Sequence, residues 1–82
     1  MNFNPIKANM TELELDGITI LFSYKTPVAC KVPSQHAGQF NYYVTDKKWS
    51  NTTTRHINLW TNRGPSQVNP QSFFDNLIAE VK

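Results

Sequence analysis

Residues 13–24 read LELDGITILFSY. Leu13 and Leu15 alternate with acids, Asp16-Gly17 interrupts, and Ile18, Ile20, Phe22 and Tyr24 then alternate with Thr19, Leu21 and Ser23. Asp-Gly tolerates the positive φ angles of a two-residue type I′ turn, so the stretch predicts a β-hairpin. Closing it at that pair sets Leu15 opposite Ile18 and Leu13 opposite Ile20. All the apolar side chains then share one face.

Working outward, Thr26-Pro27 breaks the run, and Val28, Cys30 and Val32 resume alternation against Ala29 and Lys31. Pro33 to Gly38 reads as a loop. Gln39 to Thr45 reads as a further strand, with Phe40, Tyr42 and Val44 on one face and Asn41, Tyr43 and Thr45 on the other. In this reading Tyr42 faces the core and Tyr43 faces out. The first half therefore predicts three to four antiparallel strands, with residues 1–10 outside them as a flexible segment or an oligomer contact.

The period changes after Asp46. Ser50 or Asn51 can cap a helix whose inward stripe is Thr53, Ile57 and Trp60, flanked by His56. Gly64-Pro65 stops that helix, with Gly64 at the expected left-handed position. Asn69-Pro70 supplies a cap and a first-turn proline for a second helix, carrying Phe73, Phe74, Leu77, Ile78 and Val81. The expected fold is α+β: one domain over residues 1–82, with a small antiparallel sheet and two short helices covering one of its faces.

Composition narrows the function classes. At 82 residues, 39% hydrophobic and 12% aromatic, the chain is too apolar for a disordered tail. A core this small makes an oligomer a reasonable expectation. No apolar run approaches the roughly 18–20 residues that span a bilayer, and the first ten residues lack an apolar signal core. The single Cys30 leaves no intramolecular disulfide and no cysteine zinc site. Eight Lys and Arg against six Asp and Glu give a net charge of only +2, too little for nonspecific duplex binding. Its distribution is uneven. Residues 1–16 are acidic, whereas Lys47, Lys48, Arg55 and Arg63 face Asp46 alone between residues 46 and 63.

Signatures of catalysis are missing. There is no glycine-rich phosphate loop and no paired-histidine or paired-cysteine spacing, so neither a metal nor another cofactor is expected. Cys30 and His56 could be paired as nucleophile and base, but Cys30 sits on the apolar face of a strand, where a small buried thiol is the better reading.

The informative stretch is YYVTDKKWSNTTTRHINLW, residues 42–60. It places Lys47, Lys48, Ser50, Thr52, Thr53, Thr54 and Arg55 at a strand-to-helix junction. The first helical turn has unsatisfied N–H groups and a positive dipole end, which favour an anion. Arg55 can offer a planar fork to phosphate oxygens, and Tyr43 or Trp49 can stack on a base. His56 and Asn58 could orient these groups or read a base edge. Plainer roles compete: Ser50 and Thr52 as caps, Thr53, Ile57 and Trp60 as core, His56 as a hydrogen-bonded structural histidine, and the lysines as solvated turn residues. Capping alone does not account for three threonines in succession, since only one residue can be the cap.

The block from Lys47 through Trp60, KKWSxTTxRHINxW, resembles a pattern in small proteins encoded by phages and prophages. The resemblance runs from about Ile18 to Ile78, including ILFSYKTPVA near the front and VNPQSFFDNL near the end. It extends to the immune-evasion sponges that oppose CBASS and Thoeris defence. The resemblance implies a compact homo-oligomer, with a tetramer favoured, in the cytoplasm of the infected bacterial host. It also implies that the protein holds a cyclic dinucleotide such as 3',3'-cGAMP without cleaving it. The implied ligand-binding set is Tyr43, Lys47, Lys48, Trp49, Ser50, Thr52, Thr53, Thr54, Arg55, His56 and Asn58. The longer PSQHAG loop and Thr61, where leucine is more usual, are departures that leave the ligand open. Two other classes fit the same residues: a small phage single-stranded nucleic-acid binder, and a protein-directed inhibitor of a host enzyme.

Overall fold

The structure, a computed structural model, describes residues 2–15, 17–35 and 38–79. The elements are β1 (Asn2–Lys7), β2 (Met10–Leu15), β3 (Ile18–Ser23), β4 (Thr26–Pro33), β5 (Phe40–Thr45), α1 (Asn51–Thr61), β6 (Gln67–Asn69) and α2 (Gln71–Ala79). They form an α+β fold with one six-stranded sheet in sequence order. The first five strands meander antiparallel, and β6 runs parallel to β5. A parallel neighbour needs a crossover, and α1 supplies it.

The hairpin register agrees with the pattern, with Leu15 opposite Ile18 and Leu13 opposite Ile20. Asp16 of its turn lies outside the described residues, as does Val81 of the second helix's expected stripe. The expected strand count falls short because β1 and β6 carry no apolar alternation. β1 contains Pro5, which an edge strand tolerates, and its register shifts between Pro5 and Lys7. β6 is only three residues long.

The helices do not share a face. Ile57 and Trp60 of α1 pack on Met10, Leu21, Val28 and Ala29, while Phe73, Phe74, Leu77 and Ile78 of α2 pack around Ile20 and Cys30. Leu21, Ala29 and Val44 are in register across the sheet, and so are Ile20, Cys30 and Tyr43. The sheet is thus the middle layer, which is why β3 and β4 carry the unbroken runs Ile20-Leu21-Phe22 and Val28-Ala29-Cys30. Val28 also departs from its expected face. Leu21 pairs with Ala29 and Phe22 with Pro27, so Val28 is the extra residue of a bulge and joins the α1 cluster.

Both helix boundaries differ slightly from expectation. The left-handed residues after α1 are Asn62 (φ 55°) and Arg63 (φ 54°), not Gly64. Asn69 closes β6, its carbonyl accepting the Asp46 N–H, and α2 starts at Gln71 rather than at Pro70, whose carbonyl accepts the Phe73 N–H.

Candidate functional site

The first turn of α1 is anchored to the sheet. Ser50 is the N-cap, and its Oγ accepts the Thr53 N–H at 3.1 Å. Thr53 Oγ1 lies 3.3 Å from Ser50 Oγ and 3.0 Å from Ser23 Oγ on β3. Ser23 Oγ in turn lies 2.8 Å from His56 Nδ1. Thr53, His56 and Ser23 are all buried. Burial lowers the His56 pKa below its ordinary 6.5, and the positive charges of Lys7 and Arg55 push the same way. The imidazole is therefore neutral at physiological pH. The Ser23–His56 contact has the spacing of a nucleophile and base, but Ser23 is 2% exposed and already shared with Thr53, which makes the pair a structural link. Cys30 lies in the opposite cluster, under α2, where burial pushes its thiol up to about 11. The sheet separates it from His56.

The junction ahead of α1 is held by a residue that sequence reading passed over. The Gln71 amide accepts from Thr45 Oγ1 at 2.7 Å and from Trp49 Nε1 at 3.2 Å. It donates to the Pro27 carbonyl at 2.7 Å and to Asp75 Oδ1 at 3.1 Å. Trp49 is thus tethered by its indole nitrogen while its ring stays partly exposed, and Lys47 Nζ sits 4.1 Å from the ring centroid. The lysine covers one ring face, so only the other is open for stacking.

Tyr43 is not an outward-facing ring. It packs on Phe73 with centroids 5.9 Å apart, in the α2 cluster. Tyr42 packs edge-to-face on Trp60 at 5.7 Å, beneath α1, and Trp60 donates its indole N–H to Glu12 at 2.6 Å. The expected single nook is therefore divided. Tyr43 belongs to one face of the sheet, and Thr53 and His56 are sealed beneath α1.

The remaining residues, Lys48, Thr52, Thr54, Arg55 and Asn58, lie on the outer side of the helix or just before it. A shallow concavity of about 210 Å³ lies between Asp46, Lys47, Lys48, Thr54 and Ile57. A second, of about 250 Å³, is lined by Asn51, Thr54, Arg55, Asn58, Leu59 and Arg63. Asn51, Arg55 and Asn58 recur at helical spacing on one stripe. Arg63 reaches them because the left-handed turn folds back, its own N–H bonding the Asn58 carbonyl at 3.0 Å. No carboxylate lines this second concavity, and among the described residues neither guanidinium has an ion-pair partner. Asn62, a residue that tolerates the left-handed conformation, was the available signal for Arg63. Among the described residues no three His, Cys, Asp or Glu side chains gather as a metal site, and no helix is long and apolar enough to cross a membrane.

The sequence profile of a family of unknown function, DUF8033, matches residues 1–76. The chain belongs to that family. No curated protein and no solved structure matches it.

Proposed function

We propose that the protein binds and sequesters a cyclic dinucleotide signal, such as 3',3'-cGAMP, without cleaving it, and so blocks CBASS-type defence in the cytoplasm of an infected bacterium. The observation that carries this reading is that Arg55 and Arg63, whose guanidiniums have no ion-pair partner among the described residues, line one concavity that no carboxylate lines. Two such forks fit phosphate oxygens, and Asn51, Thr54 and Asn58 add neutral donors beside them. Lys48 extends the positive surface through the adjoining concavity, which shares Thr54. Trp49 offers its uncovered ring face to a base.

At about 250 Å³ the concavity is smaller than the roughly 300–1,000 Å³ that encloses a small-molecule ligand. A dinucleotide is therefore held between copies, with the α1 faces of two protomers meeting around it in a symmetric assembly, a tetramer foremost. Calorimetry against cyclic and linear nucleotides, with native mass measurement, tests this. Arg55→Ala and Arg63→Ala should each weaken cyclic dinucleotide binding by about 1.5–3 kcal/mol, the scale of a charge-assisted hydrogen bond. Unchanged affinity in both would remove this face from the site. Heat denaturation of the complex should release intact ligand.

A second reading, single-stranded nucleic-acid binding, draws support from the open, solvent-facing run of Lys48, Arg55 and Arg63 beside the exposed Trp49 ring. It predicts affinity that grows with oligonucleotide length and falls steeply with salt. Sequestration predicts a ceiling at dinucleotide size.

A further inference from the structure

The largest concavity described, about 470 Å³, lies past the C-terminal end of α1, which meets it only through Thr61. It lies where β6 leaves β5 uncovered. β6 pairs only with Tyr43, Val44 and Thr45, so the first half of β5, Phe40 to Tyr42, has no strand on that side. The chain approaching β6 through Pro65 and Ser66 diverges from it, and the gap between the two is the cleft. Tyr42 and Tyr43 both line it, although Tyr42 packs toward Trp60 and Tyr43 toward Phe73 on opposite faces of the sheet. Only an opening in the plane of the sheet, wrapping the edge of β5, meets both. Every second residue of a strand turns its N–H and C=O toward such an edge, and Pro65 across the gap has no N–H to answer them.

The lining is aromatic and neutral. Phe40, Tyr42 and Tyr43 supply rings, and Asn41, Gln67 and Ser66 supply donors and acceptors. Among the described residues the side chains of Asn41, Gln67 and Ser66 have no hydrogen-bond partner, and no charged side chain lines the cleft. A carboxamide presents one donor side and one acceptor side, and so matches an edge that also carries both. The volume falls within the range of small-molecule sites. We infer that this cleft at the open half of β5 is a binding site for an uncharged planar heterocycle carrying donors and acceptors on its edge, such as a nucleobase. The ring lies against Tyr43, whose side of the sheet Asn41 and Gln67 share, and its edge is read by these two carboxamides and the free strand edge. This does not rest on the phosphate-binding reading of α1, because it uses different residues and no charge.

The test is NMR titration of the full chain with adenosine, guanosine, cytidine and uridine as base-bearing probes, ribose as the sugar control, and pyrophosphate as the phosphate-only probe. At least one nucleoside should shift the amides of residues 40–43 and 66–67 saturably, with ribose silent there. Asn41→Ala and Gln67→Ala, both exposed positions that leave the fold intact, should each weaken that nucleoside five- to tenfold. Ser66→Trp, which fills the gap, should weaken it more than tenfold while the remaining spectrum is preserved. Nucleosides that shift nothing, shifts confined to α1, equal shifts from ribose, or wild-type affinity in all three variants would each overturn the assignment. Pyrophosphate reports separately on Arg55 and Arg63, so failure at one site is distinguishable from failure at the other.

Discussion

Replacing Gln71 by leucine removes its amide at nearly constant volume and with little change in helix propensity. The two short bonds, to Thr45 Oγ1 and to the Pro27 carbonyl, are both 2.7 Å and run to buried residues. Each is worth about 0.5–1.5 kcal/mol net, and stranding a buried polar partner costs about 1–3 kcal/mol. Thr45 Oγ1 still accepts the Lys47 N–H at 3.2 Å, so the Pro27 carbonyl carries the larger penalty. The bonds to Trp49 and Asp75 are longer and exposed, and add little. Together these come to about 1.5–4.5 kcal/mol, and at about 4–8 °C per kcal/mol for a domain of this size the midpoint should fall by roughly 6–36 °C. Thermal and urea unfolding followed by far-UV circular dichroism measure it. Trp49 emission in the folded state should shift too, since its indole N–H loses its acceptor. A Gln71→Leu protein within 0.5 kcal/mol of the parent, with unchanged tryptophan emission, would refute the view that this amide ties β4, β5 and the junction to α2.

Two further outcomes follow from the α1 region. His56 has a folded pKa below 6.5, so the unfolded chain takes up its proton first as pH falls; the stability present above pH 6.5 should decline from there down toward the folded value. His56→Gln should flatten that limb of the midpoint-versus-pH curve between pH 7 and 5, and an identical slope would show that another group titrates. Asn62 holds φ 55°, so Asn62→Val should cost about 1–2 kcal/mol of stability whereas Asn62→Gly should not. Because the same turn returns Arg63 to Arg55, the valine variant should also bind pyrophosphate more weakly under conditions where it remains folded.

The legible part of the fold was the part with a hydrophobic period. The hairpin register followed from Leu13, Leu15, Ile18 and Ile20, and the inward face of α1 from Thr53, His56, Ile57 and Trp60. β1 was missed because its large apolar residues, Phe3 and Ile6, are themselves exposed and Pro5 interrupts them. Three-residue β6 is too short to show any period. Placement of the helices on opposite faces was in fact written in the unbroken runs of β3 and β4, since a strand buried on both sides does not alternate. Val28 shows the limit of that argument, because a bulge moves a side chain between faces without leaving a mark in the residue types. Within the candidate site, Arg55 was legible from its charge. Gln71 was not, because a glutamine at the start of a helix normally points to water. Arg63 depended on a backbone turn rather than on any spacing within α1.

The hydroxyl-rich block seemed in sequence to crowd more polar groups onto one helix start than capping needs, and the structure accounts for part of that excess by dividing the block around the helix. Ser50, Thr53 and His56 fall on the side that meets Ser23, where a chain of polar contacts, buried from Thr53 inward, anchors α1 to β3. Asn51, Thr54, Arg55 and Asn58 fall on the other side and line the concavity that Arg63 completes. A helical repeat of 3.6 residues makes this division unavoidable for any run of consecutive polar residues. The inner set has a mechanical consequence for the outer one. A helix fixed through a buried imidazole bonded at Nδ1 to Ser23 has little freedom to rotate, so the backbone positions that carry Asn51, Arg55 and Asn58 keep one spacing. On the proposed function, such preorganisation would lower the ordering cost of binding, and would let a protein with a net charge of only +2 select a small phosphate compound through geometry rather than through bulk attraction.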